Sequence, residues 1–194
     1  CEVENKGSTV IIDSKNVCKS SVKEELMEKM RSSIILSGAI IERIKKAETS
    51  FPGGCELGLR PIDLHIKAFR EMGVNVEEQH GFIRFDGRNM KSCDIHLSFP
   101  SVGATENIML AAMTVPGVTR IINPAKEPEI EDLQDFLNKI GGSVSGAGSG
   151  VIEIKGTFSF KDAEHRIIPD RIVTATYISA AAVTGGEKKK KNAE

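Results

Sequence analysis

The chain repeats itself, and the repeat narrows the folds open to it. A helical stretch runs from Arg60-Pro61 through Phe69 and stops at Gly73. Proline is tolerated in a first helical turn, and glycine readily takes the left-handed conformation that ends a helix. Val74 and Val76 follow, then a polar turn at Gln79-His80-Gly81 and the strand Phe82-Ile83-Arg84-Phe85, ending at Gly87. The same order returns later. Glu127-Pro128-Glu129 opens a helix to Ile140, with Gly141 as its cap. Val144, a Gly/Ser turn and the strand Val151-Ile152-Glu153-Ile154 come next, ending at Gly156. Pro61 and Pro128 are 67 residues apart, as are Phe69 and Phe136; Gly81–Gly150 and Gly87–Gly156 are both 69 apart. Spacings that agree this closely imply a duplicated helix–strand–turn–strand unit, hence an α/β fold built from repeats.

A second kind of helix alternates with the first. Ser21 with Glu24 has the spacing of a capping box and opens a helix through Arg31 to about Lys46. Thr105 to about Val115 and Asp170 to about Val183 are rich in alanine and small residues, and each leads to a glycine, Gly117 or Gly185. Helices this apolar suit a central packed position. Thr119-Arg120-Ile121-Ile122 reads as a strand after the middle one, and Val3 to Asp13 as the end of a further repeat. The chain thus reads as one domain over residues 1–187, cut from something longer. The run Lys188 to Lys191 falls where the pattern calls for a strand and reads as a solvated tail over 188–194.

Composition narrows the function. A net charge of −1 over 194 residues gives no electrostatic case for nucleic acid or a membrane surface, and no apolar run is long enough to span a bilayer. The four cysteines, Cys1, Cys18, Cys55 and Cys93, form no CxxC pair, so neither a zinc site nor a disulfide framework is favoured and a reducing cytoplasm fits. His65, His80, His96 and His165 show no metal spacing. Cys55 stands apart from the other thiols. It lies in Phe51-Pro52-Gly53-Gly54-Cys55-Glu56-Leu57-Gly58-Leu59-Arg60, a glycine-rich loop closed by an arginine. Glycines let the backbone approach a ligand, and a guanidinium favours thiolate and grips phosphate or carboxylate. The loop therefore reads as a reactive site for an anionic substrate, the alternative being an inert loop thiol.

Several motifs in order resemble the UDP-N-acetylglucosamine enolpyruvyl transferases. They are Pro52-Gly53-Gly54-Cys55, Gly58-x-Arg60-Pro61-Ile62-Asp63-Leu64-His65, Ser101-Val102-Gly103-Ala104-Thr105-Glu106-Asn107-Ile108-Met109, Glu127-Pro128-Glu129-Ile130 and Pro169-Asp170-Arg171-Ile172. The resemblance runs from about Val3 to Gly186. It implies an inside-out α/β barrel domain with the active site in a cleft against a second domain. It also implies transfer of the enolpyruvyl group of phosphoenolpyruvate to the 3-hydroxyl of UDP-N-acetylglucosamine, the committed step of bacterial peptidoglycan synthesis and so of cell-wall growth, cell shape and division. No cofactor and no metal is called for. The second domain, carrying the catalytic aspartate and further arginines, and an early Lys-Asn pair are expected outside these residues. The alternatives are an isolated or engineered fragment that folds without turnover, and the shikimate-pathway enolpyruvyl transferase, which shares the fold and lacks the cysteine loop.

The resemblance assigns roles. Cys55 is the general acid at C3 of phosphoenolpyruvate and the atom that fosfomycin alkylates. Arg60 binds the phosphate, its alternative being a surface arginine at a helix start, where a cation without an anion is disfavoured. Arg31 lies near the substrate phosphates, with Glu28 as a bland partner. Pro61, Ile62, Asp63 and Leu64 hold the uridine, since backbone groups at a helix start are free to bond a base; Asp63 could equally be a helix-start acid. Ser101, Val102 and Gly103 meet the diphosphate at another helix start. The family often carries a lysine two positions before that serine, where this chain has Phe99. Glu127 resembles an acid near the sugar nucleotide, or is a helix-start charge. His65 orients the loop or is a hydrogen-bonded structural histidine, and Cys1, Cys18 and Cys93 are structural.

Overall fold

The computed structural model describes residues 1–22, 24–51 and 62–187. Cys55, Arg60, Pro61 and the lysine tail lie outside the described residues. In chain order the elements are β1 (Glu2–Lys6), β2 (Thr9–Asp13), α1 (Glu24–Lys29), a 3-10 turn (Arg31–Ile35), α2 (Leu36–Ile44), β3 (Lys46–Ser50), α3 (Asp63–Glu71), β4 (Asn75–Gln79) and β5 (Phe82–Asp86). They continue with β6 (Asp94–His96), α4 (Val102–Ala112), β7 (Val118–Ile122), α5 (Pro128–Lys139), β8 (Ser143–Ser145), β9 (Val151–Lys155) and α6 (Arg171–Thr184).

The duplication is real in three dimensions. Hairpin β4–β5 takes β3 as a third strand in the order β3-β5-β4, and hairpin β8–β9 takes β7 in the order β7-β9-β8. In each sheet the added strand pairs antiparallel with the second strand of the hairpin. A parallel partner then joins it. β6 runs beside β7, and Ser21 makes a single parallel bridge to Glu48 of β3. The hairpins turn on residues of positive φ: His80 at 52° with Gly81 at 81° in one, Gly146 at 91° and Gly148 at 79° in the other. A third hairpin, β1–β2, stands alone and is exposed along its whole length.

The sheets face outward and two helices lie inside. α2 and α4 run side by side in the same direction: Gly38 N–H donates to Asn107 Oδ1 at 2.7 Å, and Lys45 Nζ to Thr114 Oγ1 at 3.3 Å, with the same 69-residue offset in both pairs. α4 buries seven residues, among them Ala104, Ile108, Met109, Ala111 and Ala112. Its small side chains let neighbouring elements pack close. α3 presents Ile66 and Phe69 to the same core, and Phe69 meets Phe85 of β5 edge to face at 5.5 Å. Burying one such side chain contributes roughly 2–3 kcal/mol. Helices inside and sheets outside is the arrangement the resemblance implies, but the described residues form three separate sheets and no closed barrel.

Three sequence readings need correcting. The helix foreseen from Ser21 to Lys46 is broken into α1, the 3-10 turn and α2. Met30 is extended at φ −132°, ψ 108°, and buried Ser33 bonds back to Met30 and Leu26 carbonyls, which interrupts the helical ladder. Ser21 forms no capping box, because its stretch is drawn into the sheet: Val22 N–H donates to the Glu48 carbonyl, and Glu48 N–H to that of Ser20. The third apolar helix, α6, is not central. None of its residues is buried, and Ile172, Val173, Ile178 and Val183 are all exposed, since no other described element covers it. It is held at its start instead, where Asp170 caps Ile172 and Val173 N–H and Arg171 grips Glu129 through two bonds of 3.0 and 2.8 Å.

Candidate functional site

The site is built on the first two turns of α4. Ser101 is its N-cap, extended at φ −89°, ψ 121°, with Oγ accepting from Ala104 N–H at 3.3 Å. That bond satisfies one of the helix's orphan donors; the other early amides, of Val102 and Gly103, have no partner within the helix. Such a terminus favours an anion. Ser101, Val102 and Gly103 thus form the cap and first two residues of α4.

α3 brings the second segment to the same place. Ile62 is buried and precedes the helix; Asp63 opens it, exposed, and Leu64 is half-buried against the core. One turn in, His65 is only 8% exposed and its ring lies against Gly103. A Cβ on Gly103 would sit 3.3 Å from His65 Cε1 and 3.5 Å from Nε2. Absence of a side chain at 103 is what lets the imidazole bridge the two helix starts. His65 Nδ1 meets Asn107 Nδ2 at 2.9 Å. Of the two readings open for His65, it is hydrogen-bonded and buried, and it touches the candidate site as well.

Arg31 begins the 3-10 turn, and its side chain lies outside the described atoms. The far end of that turn is tied to α4, with Asn107 Nδ2 donating to the Ile34 carbonyl at 3.1 Å. Glu127 is the N-cap of α5, ahead of Pro128, and its carboxylate accepts its neighbour's amide, Lys126 N–H at 2.9 Å. The loop before it is fastened to α4 by Thr105, whose Oγ1 donates to Ser101 O at 2.8 Å and accepts from Ala125 N–H at 3.1 Å. Ile62–Leu64, Ser101–Gly103 and the turn that starts at Arg31 thus converge on one end of α4, and the loop leading to Glu127, the N-cap of α5, is fastened at that end through Ala125. Cys55, Arg60 and Pro61 lie outside the described residues.

Polar residues inside α4 carry this arrangement, and the sequence reading gave them no role. Thr105 and Asn107 are fully buried in a helix rich in alanine and apolar residues, and that mismatch was the available signal. Glu106 stands between them. Burial pushes its carboxyl up to about 7, with the nearby Glu129 carboxylate adding to the rise, while Arg171 holds Glu129 below the usual carboxylate range. Phe99, at the place where a lysine was looked for, is 66% exposed. The expectation that all three remaining thiols are structural fails for Cys1 and Cys18, which are exposed; Cys93 is partly buried and packs on the core. Among the described residues no cluster of three or more histidine, cysteine or acidic side chains forms, and no helix is long and apolar enough to cross a membrane.

Comparison with known proteins bears on the fold and the family. A family model described as EPSP synthase (3-phosphoshikimate 1-carboxyvinyltransferase) matches residues 1–194. The chain is 54% identical over 187 residues to UDP-N-acetylglucosamine 1-carboxyvinyltransferase 2 of Caldanaerobacter subterraneus subsp. tengcongensis, covering 96% of this chain and 45% of that protein. It is 48% identical over 186 residues to UDP-N-acetylglucosamine 1-carboxyvinyltransferase of Finegoldia magna, covering 94% and 44%. The chain spans under half the length of these curated relatives. Among solved structures, the enolpyruvyl transferase NikO from Streptomyces tendae superposes with a TM-score of 0.78 at 21% identity, over 92% of this chain and 43% of that one. EPSP synthase from Acinetobacter baumannii gives 0.60 at 21%, over 78% and 34%. At such identities the structural likeness speaks for the fold.

Proposed function

This chain belongs to the EPSP synthase (3-phosphoshikimate 1-carboxyvinyltransferase) family, and we propose that it is the cysteine-loop part of a transferase that moves the enolpyruvyl group of phosphoenolpyruvate onto the 3-hydroxyl of UDP-N-acetylglucosamine. The observation that carries the choice of acceptor is the 54% identity over nearly the whole chain to a protein named for that activity. The convergence of Ile62–Leu64 with Ser101–Gly103 supports it, since a nucleotide diphosphate needs a base-binding segment and an anion-binding helix start side by side.

In this reading the 3-hydroxyl oxygen adds to C2 of phosphoenolpyruvate while C3 takes a proton from the Cys55 thiol. The hydroxyl proton passes to a base on the second domain. The tetrahedral intermediate then loses phosphate from C2 as C3 returns a proton to the Cys55 sulfur, restoring the vinyl group. Arg60 and Arg31 hold the phosphate and carboxylate charges, because a guanidinium stays charged and bonds two oxygens at once. Ile62, Asp63 and Leu64, with Pro61 before them, hold the uridine. Ser101, Val102 and Gly103 receive the diphosphate, and Glu127 faces the sugar. The same reading makes fosfomycin a covalent inhibitor at Cys55, places the protein in the cytoplasm, and makes the second domain its partner. A chain spanning under half of its relatives supplies only part of such a site.

The test is release of inorganic phosphate from phosphoenolpyruvate by the intact protein that contains this chain. Release should depend on UDP-N-acetylglucosamine, and the 194-residue chain alone should release none. Release that depends on shikimate 3-phosphate instead would overturn the choice of acceptor. Fosfomycin in the presence of UDP-N-acetylglucosamine should add its mass at Cys55 and at no other cysteine; labelling spread over all four would overturn the role of Cys55.

A further inference from the structure

We infer that Asn107 is a positioning residue: it fixes His65 as the Nε2–H tautomer and, through that ring, sets the distance between the starts of α3 and α4. The role of these two starts in holding a nucleotide sugar rests on the proposed function; the tautomer does not.

The argument begins with a backbone amide. Gly38 N–H can only donate, and it points at Asn107 Oδ1 from 2.7 Å. That contact settles which end of the side-chain amide is oxygen. The other end is therefore NH2, with two donors and no acceptor. One donor goes to the Ile34 carbonyl at 3.1 Å and the other to His65 Nδ1 at 2.9 Å. A ring nitrogen that receives a hydrogen bond carries no proton, so the His65 proton resides on Nε2. Asn107 and His65 are 0% and 8% exposed, so water competes little for these bonds.

The ring then acts as a spacer. Its Cε1–Nε2 edge faces Gly103 in the first turn of α4, where a Cβ would leave it 3.3–3.5 Å of room. His65 itself lies in the first turn of α3, two residues after Asp63. Turning the imidazole over would exchange Nδ1 for a carbon at Asn107 and break the bond by which α4 holds the ring's orientation. Asn107 also reaches the turn that starts at Arg31, through Ile34. One buried amide thus connects α4 to the starts of α2 and α3 and to the turn before α2.

Two-bond 15N–1H correlation of the histidine-labelled intact protein reads the tautomer directly, with His65→Gln identifying the resonance by its loss. Nδ1 should show the shift of an unprotonated nitrogen and Nε2 that of a protonated one. Protonation on Nδ1, or averaging over both nitrogens, would overturn the inference. In Asn107→Leu, which keeps the branched shape of the side chain and removes all three bonds, His65 should become a mixture of tautomers. The same variant should raise KM for UDP-N-acetylglucosamine about tenfold or more, with kcat changed less, as expected for losing net bonds worth about 1.4 kcal/mol. Unchanged KM together with an unchanged tautomer would also overturn it. Should Asn107→Leu not fold, the spectrum of the unmutated protein still decides. An intact protein without transferase activity but with the Nε2–H tautomer would count against the proposed function and not against the fixed ring.

Discussion

Glu48 and Arg120 hold the same place in two copies of one sheet with opposite charge. Glu48 is the middle residue of β3 and pairs across the register with Arg84 of β5; Arg120 is the middle residue of β7 and pairs with Glu153 of β9. Both pairs close to 2.6 Å. The sign is reversed on both strands of the second copy, so the pair stays complementary, as expected for directly opposed charges on a sheet face.

Swapping one pair is therefore tolerated only as a pair. Glu48→Arg and Arg84→Glu should each lower the melting temperature at low salt, and the double swap should recover part of that loss, the remainder reflecting a carboxylate at 84 that then faces Glu77 of β4. Raising the salt should shrink the single-variant losses, because both pairs lie in water. A double variant as unstable as the two losses together would show that the charges do not pair. Thermal unfolding followed by circular dichroism makes the comparison.

Gly38 is required by the approach of α2 to α4. A Cβ there would lie 2.3 Å from the Asn107 carbonyl oxygen and 2.4 Å from its Oδ1. Helix backbone cannot give way as a flexible side chain can. Gly38→Ala should cost on the order of 2–4 kcal/mol in urea unfolding. Gly150→Ala, where a Cβ meets nothing within 4 Å, serves as the control and should fall within about 0.5 kcal/mol of the original.

Glu106 makes stability depend on pH in an unusual direction. Its folded carboxyl sits near 7, above the ordinary value of 4.5 it has when unfolded. Below the unfolded value both states are protonated and nothing is lost. As pH rises from about 4.5 to 7 the unfolded state releases its proton first, so stability falls. Glu106→Gln should therefore match the original protein at pH 4 and be more stable at pH 8, by on the order of 1–2 kcal/mol once partial exposure is allowed for. Equal stability at pH 8 would refute the burial penalty.

The described thiols should separate by rate. Cys1 and Cys18 are exposed, whereas burial raises the Cys93 thiol above its ordinary value and slows formation of thiolate. Limited iodoacetamide at pH 8, read by peptide mass, should modify Cys1 and Cys18 well before Cys93. Faster reaction at Cys93 would contradict its packing.

Local signals account for what the sequence made legible. Helices α3 and α5 and hairpins β4–β5 and β8–β9 were announced by Pro128, Gly73, Gly81 and Gly141, residues whose backbone preferences act wherever the chain places them. β3 and β6 went unread. Lys46–Ser50 looks like the polar end of a helix, and Asp94–His96 is three residues long; both are strands only because a neighbouring strand offers its hydrogen bonds. The candidate site was legible in the helix starts at Ile62–Leu64 and Ser101–Gly103. Thr105 and Asn107 were not, since nothing in one sequence tells which carbonyl or ring a buried polar side chain will meet.

By itself, then, the sequence determined the duplicated unit, its turns and caps, and the family to which its motifs belong, because each depends on short-range stereochemistry or on residue order. Tertiary structure alone decided that α2 and α4 lie parallel and almost touching, that His65 wedges against Gly103, and that α6, rich in small and apolar residues like α4, is left uncovered among the described residues. Burial is a property of what packs on a segment, and composition sets only how much a segment gains when something does.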